Sequence, residues 1–202
     1  MLIEHDGKSP SVDPAARVAP NAVLCGDVTV GPGTSVGFGA VLTAETGPVS
    51  VGANCVIMEN AVLRGTGHYP LAMGDNVLVG PTAHLSGCTI SDNVFVATGA
   101  SVFNGAHLGA RALVRIGAVV HIGTRLPPDT DIPINWIALG DPAQILPPER
   151  DAEINGALAK LDFKRRVFGI GRTEPGATVM PEAMARYARA LARHRDDTEL
   201  SP

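Results

Sequence analysis

Aromatic side chains are scarce: Phe, Tyr and Trp make up 4% of the 202 residues. A single-strand nucleic-acid binder needs such rings as stacking platforms, so the composition speaks against that class. A basic excess is absent too. The chain has 16 Lys and Arg against 20 Asp and Glu, a formal net charge of −4, which argues against binding driven by phosphates. Cysteine is sparse, and its count is odd. Cys25, Cys55 and Cys88 show neither a CxxC motif nor metal-ligand spacing. A disulfide framework is therefore not expected, and a reducing compartment, the cytoplasm, is the simpler expectation. No run of 18 apolar residues occurs, so no membrane-spanning helix is expected. The opening MLIEHDGKSP lacks the apolar core of a signal peptide.

What the chain does have is 23 Gly and 16 Pro. Together they make about a fifth of it, against about 12% in an average protein. Both residues weaken helix interiors, so a helical bundle is excluded and a turn-rich architecture is favoured. The hydrophobic fraction of 45% is enough for a real core and excludes a disordered chain. The length suits one domain with a small appendage.

A period of six organises most of the sequence. Aliphatic residues stand at Val12, Val18, Leu24, Val30, Val36 and Leu42. The phase slips to Val51, Ile57 and Leu63, and slips again to Met73, Val79 and Leu85. From Ile90 it runs through Val96, Val102, Leu108, Val114, Val120 and Leu126 to Ile132. Six matches neither a helical face nor a heptad. It suits a two-residue strand and a sharp turn, with side chains i−2 and i facing inward. Position i−2 is often small, as at Ala40, Cys55, Ala83 and Ala112, and i+1 is often Gly, which is expected to help the chain turn. Three hexads then close one triangular coil, and stacked coils pair strand on strand in parallel. The fold class expected is mainly β, a parallel β-helix over residues 1–148.

Residues 149–202 read as a helical extension. Ile154, Ala157, Leu158 and Leu161 are spaced i, i+3, i+4, i+7, and so are Met184, Tyr187, Ala188 and Leu191. Pro181 suits a first helical position, and Arg193, His194 and Arg195 suit a last turn. These helices are expected to lie along the coil or to reach a neighbouring subunit. The tail from Asp196 to Pro202 is expected to fray.

The segments VGANCVIMENAVLR, MGDNVLVG, LSGCTISDNVFVATGASVFNGAHLGARALV and ALGDPAQILPP resemble the γ-class carbonic anhydrase family of the hexapeptide-repeat transferase superfamily. The resemblance spans roughly Val12 to Pro148, including inserted loops at 43–50 and 64–72. It implies a left-handed β-helix, a homotrimer and sites between subunits. Family chemistry uses a metal held by three His, which lowers the pKa of bound water. The positions corresponding to those ligands hold Arg64, Pro81 and Ser86. The family's Arg and Asp of an LRGD-like turn correspond to Thr43 and Glu45, and its Gln and Asp of an IQD-like segment to Met58 and Glu59. No metal and no CO2 hydration by the family route are therefore expected.

The phase also predicts which residues stack. Thr43, Arg64, Ser86, Phe103 and His121 should share one edge, and Glu59, Pro81 and Thr98 another. Arg64 is expected either to pair with Glu45 or Glu59, or to bind a carboxylate or phosphate. His68, beside Tyr69 in the inserted loop RGTGHYP, is a candidate general base. His84 faces outward from a flat side. The candidate catalytic group is thus His68, Arg64 and Glu59, with Glu45, Ser86, Thr43, Tyr69 and His84 as candidate ligand contacts. Three functions follow: a trimer that binds or acts on a small molecule in a cleft between subunits without a cofactor, a hexapeptide acyltransferase using acyl-CoA with His68 or His121 as base, and a non-catalytic scaffold.

Overall fold

The computed structural model describes residues 1–161, 163–171 and 177–200. Its body is a parallel β-helix. The expected strands appear as two-residue pairs at nearly every hexad, such as Val56–Ile57, Leu78–Val79 and Phe95–Val96. One face is a seven-stranded parallel sheet, in which Val56, Leu78 and Phe95 lie in register. The other two faces merge into one sheet because the long strands Val23–Val30 and Val41–Val51 continue around a corner.

Inside the coil, positions i and i−2 form one apolar column each. Leu24, Leu42, Leu63, Leu85 and Val102 are fully buried, and so are the small residues Ala40, Cys55, Ala61, Ala83 and Ala100. Small side chains at i−2 leave room for the aliphatic ones at i from the other two walls. Each large aliphatic contributes about 1.5–3 kcal/mol by leaving water. Thr34 also sits in this core, where its hydroxyl donates to the Gly52 carbonyl and accepts from the Cys55 amide, so no polar atom is stranded.

Glycine at i+1 has a different cause from the one expected. The left-handed corner falls at i+3, on residues such as Gly33, Gly39, Asn54, Asn60 and Asn135. Asn tolerates that conformation because its short polar side chain bonds locally. At i+1 the constraint is contact: a Cβ on Gly109 would lie 2.4 Å from the Pro128 nitrogen of the next coil.

The three outer faces differ in character. The first shows Val56, Leu78, Phe95 and Leu113, and the second Val62, His84, Val119 and Ile137. The third is polar, with Thr29, Ser50, Thr89, His107 and Arg125.

After the hexads, Ile137–Leu139 and Gln144–Leu146 form an antiparallel pair. Helix α1 covers Asp151–Leu158, α2 Phe163–Phe168 and α3 Met180–Leu191. The face read for α1 is the one used: Ile154 is buried, and Ala157, Leu158 and Leu161 are half-buried. The face of α3 is rotated from the reading. Ala183 is buried against Ile170 and Val179, while Met184 and Leu191 stay exposed. Pro181 does fall in the first turn of α3. The tail is paired rather than frayed: Thr198–Leu200 joins Leu2–Glu4 as an antiparallel strand. Its last two residues lie outside the described residues.

Candidate functional site

The predicted edge column exists. Cys25, Thr43, Arg64 and Ser86 are aligned by the register of successive coils, and the Phe103 and His121 rings follow at 6.3 Å from each other. The second column is also as predicted. Backbone bonds run from Thr82 N to Glu59 O at 2.9 Å and from Gly99 N to Pro81 O at 3.0 Å. Glu59 is exposed on that other corner, and nothing among the described residues joins it to Arg64.

Arg64 is committed to Glu45. Its Nη2 donates to Oε1 at 2.8 Å and to Oε2 at 2.7 Å. The side chains are 28% and 20% exposed, so the pair is neither a solvated surface contact nor a core one. Of the two pairings left open by the sequence, the structure has the one with Glu45. Ser86 is buried, and its hydroxyl donates to Asn104 Oδ1 at 2.7 Å.

Two inserted loops clasp above this pair. The Thr66 and Tyr69 backbones bond to each other at 2.9 and 2.8 Å, closing RGTGHYP into a tight hairpin. The Gly67 amide donates to Thr46 Oγ1 at 2.7 Å, tying one loop to the other. Tyr69 is seated over Gly87 and Gly105, where a Cβ would come within 2.5 Å of the Tyr69 Cβ and 3.0 Å of its ring, respectively. His68 is left exposed at the hairpin tip, with no side-chain hydrogen bond among the described residues.

A cleft of about 1060 Å³ opens between these loops and the C-terminal helices. Glu45, His68 and Tyr69 line it, as do Asn104, Arg166 and Arg186. The chain thus forms a cleft by itself, where the family resemblance implied one between subunits. Thr43, Arg64, Ser86 and His84 do not line it. Sequence reading missed Arg166 and Arg186 because no motif marks them; only their position on helices folding back over the loops brings them there. Arg186 is held by Glu182 and by the Phe168 and Gly169 carbonyls.

His84 packs on Phe103 at 6.1 Å between ring centroids. Burial, and then the Arg64 charge, lower its pKa below the ordinary histidine value. His121 is lowered by burial, and its Nδ1 is buried without a partner among the described residues.

A three-His metal does not fit the family position. Arg64 is a cation already paired with Glu45, Pro81 offers no donor side chain, and the Ser86 hydroxyl is bonded to Asn104.

The coil geometry defines a hexapeptide-repeat, left-handed β-helix protein. A hexapeptide transferase family structure from Anaplasma phagocytophilum shares it at 26% identity and a TM-score of 0.51, covering 80% of this chain and 98% of that one. The particular kinship comes from sequence. The mitochondrial gamma carbonic anhydrase 1 of Arabidopsis thaliana is 38% identical over 154 residues, 73% of this chain and 54% of that protein. A carbonic anhydrase of Geobacillus kaustophilus is 29% identical over 146 residues, 72% of this chain and 77% of the other. The chain belongs with the γ-carbonic-anhydrase-like hexapeptide-repeat proteins. It spans about half the length of the plant relatives it matches. No family model matches the chain. No helix among the described residues is long and apolar enough to cross a membrane.

Proposed function

We propose that the protein is a homotrimer that binds a small anionic molecule in the cleft above the Arg64–Glu45 pair, without hydrating CO2 by the three-His route. The carrying observation is the charge of the cleft. Arg166, His68 and the Glu182-paired Arg186 line it, and Glu45, the carboxylate lining it among the described residues, is neutralised by Arg64. A carboxylate or phosphate group matches that lining, since a guanidinium fork can hold either bidentately. In this reading His68, exposed at the rim, exchanges a proton with the bound molecule. Two apolar outer faces and one polar one support the trimer, because a closed ring uses two different patches of each subunit and leaves the third in water. Three unpaired cysteines support a reducing, cytoplasmic location.

The test is a thermal-shift screen of small carboxylates and phosphate esters beside neutral analogues, with CO2 hydration measured in parallel. A ligand of the native state raises Tm. Anions should raise it, Arg166→Ala should abolish the shift, and hydration should stay at background with added Zn2+. Equal response to neutral analogues, or Zn2+-dependent hydration, would overturn the reading; silence to every metabolite would favour a scaffold. The acyltransferase alternative rests on His121, whose buried, unpartnered Nδ1 and lowered pKa suit a neutral base. A Tm rise with acetyl-CoA that His121→Asn removes would favour it.

A further inference from the structure

The two ends of the chain meet at the start of the coil and bring four metal-binding side chains together. Leu2–Glu4 lies between Leu24–Cys25, paired in parallel, and Thr198–Leu200, paired antiparallel. His5 and Asp197 are the next residues along the antiparallel pair, and Cys25 lies on the flanking coil. Both oxygens of Asp197 are engaged: His5 Nδ1 is 2.6 Å from Oδ1, and His194 Nδ1 is 2.7 Å from Oδ2. The two imidazoles stack at 4.1 Å with an interplanar angle of 18°, so both Nδ1 atoms point at one carboxylate. The Cys25 Sγ stands 3.7 Å from Asp197 Oδ2. His5 is only 3% exposed and Cys25 5%, whereas His194 and Asp197 keep an open side toward solvent.

We propose that His5, His194, Asp197 and Cys25 form a structural site for one divalent cation of borderline softness, Zn2+ foremost, which fastens the end of the chain to its beginning.

Two imidazole nitrogens, one carboxylate and one thiolate are a donor set Zn2+ takes in closed four-coordinate sites. Among the described residues, His5, His194 and Asp197 are the one place where three His, Cys, Asp or Glu side chains bring ligand atoms within 4.8 Å of one another, and the Cys25 Sγ stands at the edge of that cluster. Charge closes as well: the carboxylate and a thiolate balance the dication, as a half-buried centre requires. Finally, an outer partner is in place. His5 Nε2 is 3.6 Å from Asp6 Oδ2, and Arg193 holds Asp6, so the ring nitrogen away from the cation faces a carboxylate. Such partners fix the tautomer of a ligating His.

Without a cation the Cys25 thiol stays protonated. Burial, with the Asp197 charge next to it, pushes the Cys25 thiol up to about 11. Cation binding reverses this. The thiol gives its proton to solvent and its sulfur lone pair to the metal, and each imidazole must present a proton-free Nδ1 to it. Proton release therefore accompanies binding.

Chelator-stripped protein titrated with Zn2+ and with Co2+ tests this. One cation should bind per chain, with protons released to solvent. Co2+ should show a sulfur-to-metal charge-transfer band together with the intense visible bands of a tetrahedral ion. Cys25→Ser should lose the charge-transfer band, and His194→Ala and Asp197→Asn should lose stoichiometric binding. Asp6→Asn should weaken affinity by roughly 10–100-fold, and His107→Ala should change nothing. Circular dichroism matching the native chain shows that the variants remain folded. Absence of stoichiometric binding in the native chain, or binding untouched in both His194→Ala and Asp197→Asn, overturns the proposal. A Co2+ spectrum without the sulfur band removes Cys25 from it.

Discussion

Arg64 stands where the family resemblance implies a metal ligand, and its chemistry is that of an ion pair. Two hydrogen bonds to one carboxylate at intermediate burial lie between a surface pair, worth less than about 1 kcal/mol, and a core pair, whose breaking costs about 3–5 kcal/mol. Arg64→Ala should therefore lower unfolding free energy by about 1–2 kcal/mol in urea titrations. The same variant bears on His84, whose pKa is depressed by burial first and by Arg64 second. A base with a depressed folded pKa binds its proton more readily unfolded. Stability from His84 and His121 is thus complete above about pH 6.5 and is lost as pH falls through that value toward the folded pKa. Proton NMR should place His84 below the ordinary histidine value in the native chain and move it upward in Arg64→Ala. An unmoved His84 would separate the two residues electrically.

At the scale of elements, the hairpin carrying His68 is held by what lies beneath it. Tyr69 covers Gly87, which has φ +50°, and a Cβ there would press on the Tyr69 Cβ and carbonyl. Gly87→Ala adds both backbone strain and a clash, worth about 1–3 kcal/mol. Amide exchange should accelerate in residues 66–69 while the coil interior remains protected; uniform acceleration would mean that the hairpin and coil open together. Much of the element structure is legible in the sequence, because buried aliphatics at i and small residues at i−2 repeat with every wall of the triangle. Where that repeat stops, legibility declines. Ile154 of α1 was readable from spacing, but α3 buries Ala183 rather than Met184, since the small side chain lets the helix approach Ile170 and Val179. Helical spacing alone does not choose between an apolar stripe and its small-residue edge.

For the whole molecule, the outer faces set the association. Val56 and Phe95 on the first face and Ile116 and Ile134 near its corner are exposed in the single chain, whereas the third face is polar. Light scattering coupled to size exclusion should give about three times the 20.9 kDa chain mass. A charge at Phe95, as in Phe95→Glu, should shift the mass to that of one chain. A native protein of single-chain mass would remove the trimer from the proposed function.

The six-residue period determined the coil and its edge columns, because each hexad repeats the same local geometry and phase is additive along the chain. It also put Glu45 and Glu59 forward as partners for Arg64, and the structure chose Glu45, one coil away on the same edge. Only the tertiary structure brought Arg166 and Arg186 over the inserted loops, and only it joined His5 to His194 and Asp197. His5 and Asp197 are 192 positions apart, and both sets of contacts depend on the path of a non-repeating tail. A period carries information from one coil to the next; it carries none about where the chain goes once the coil has ended.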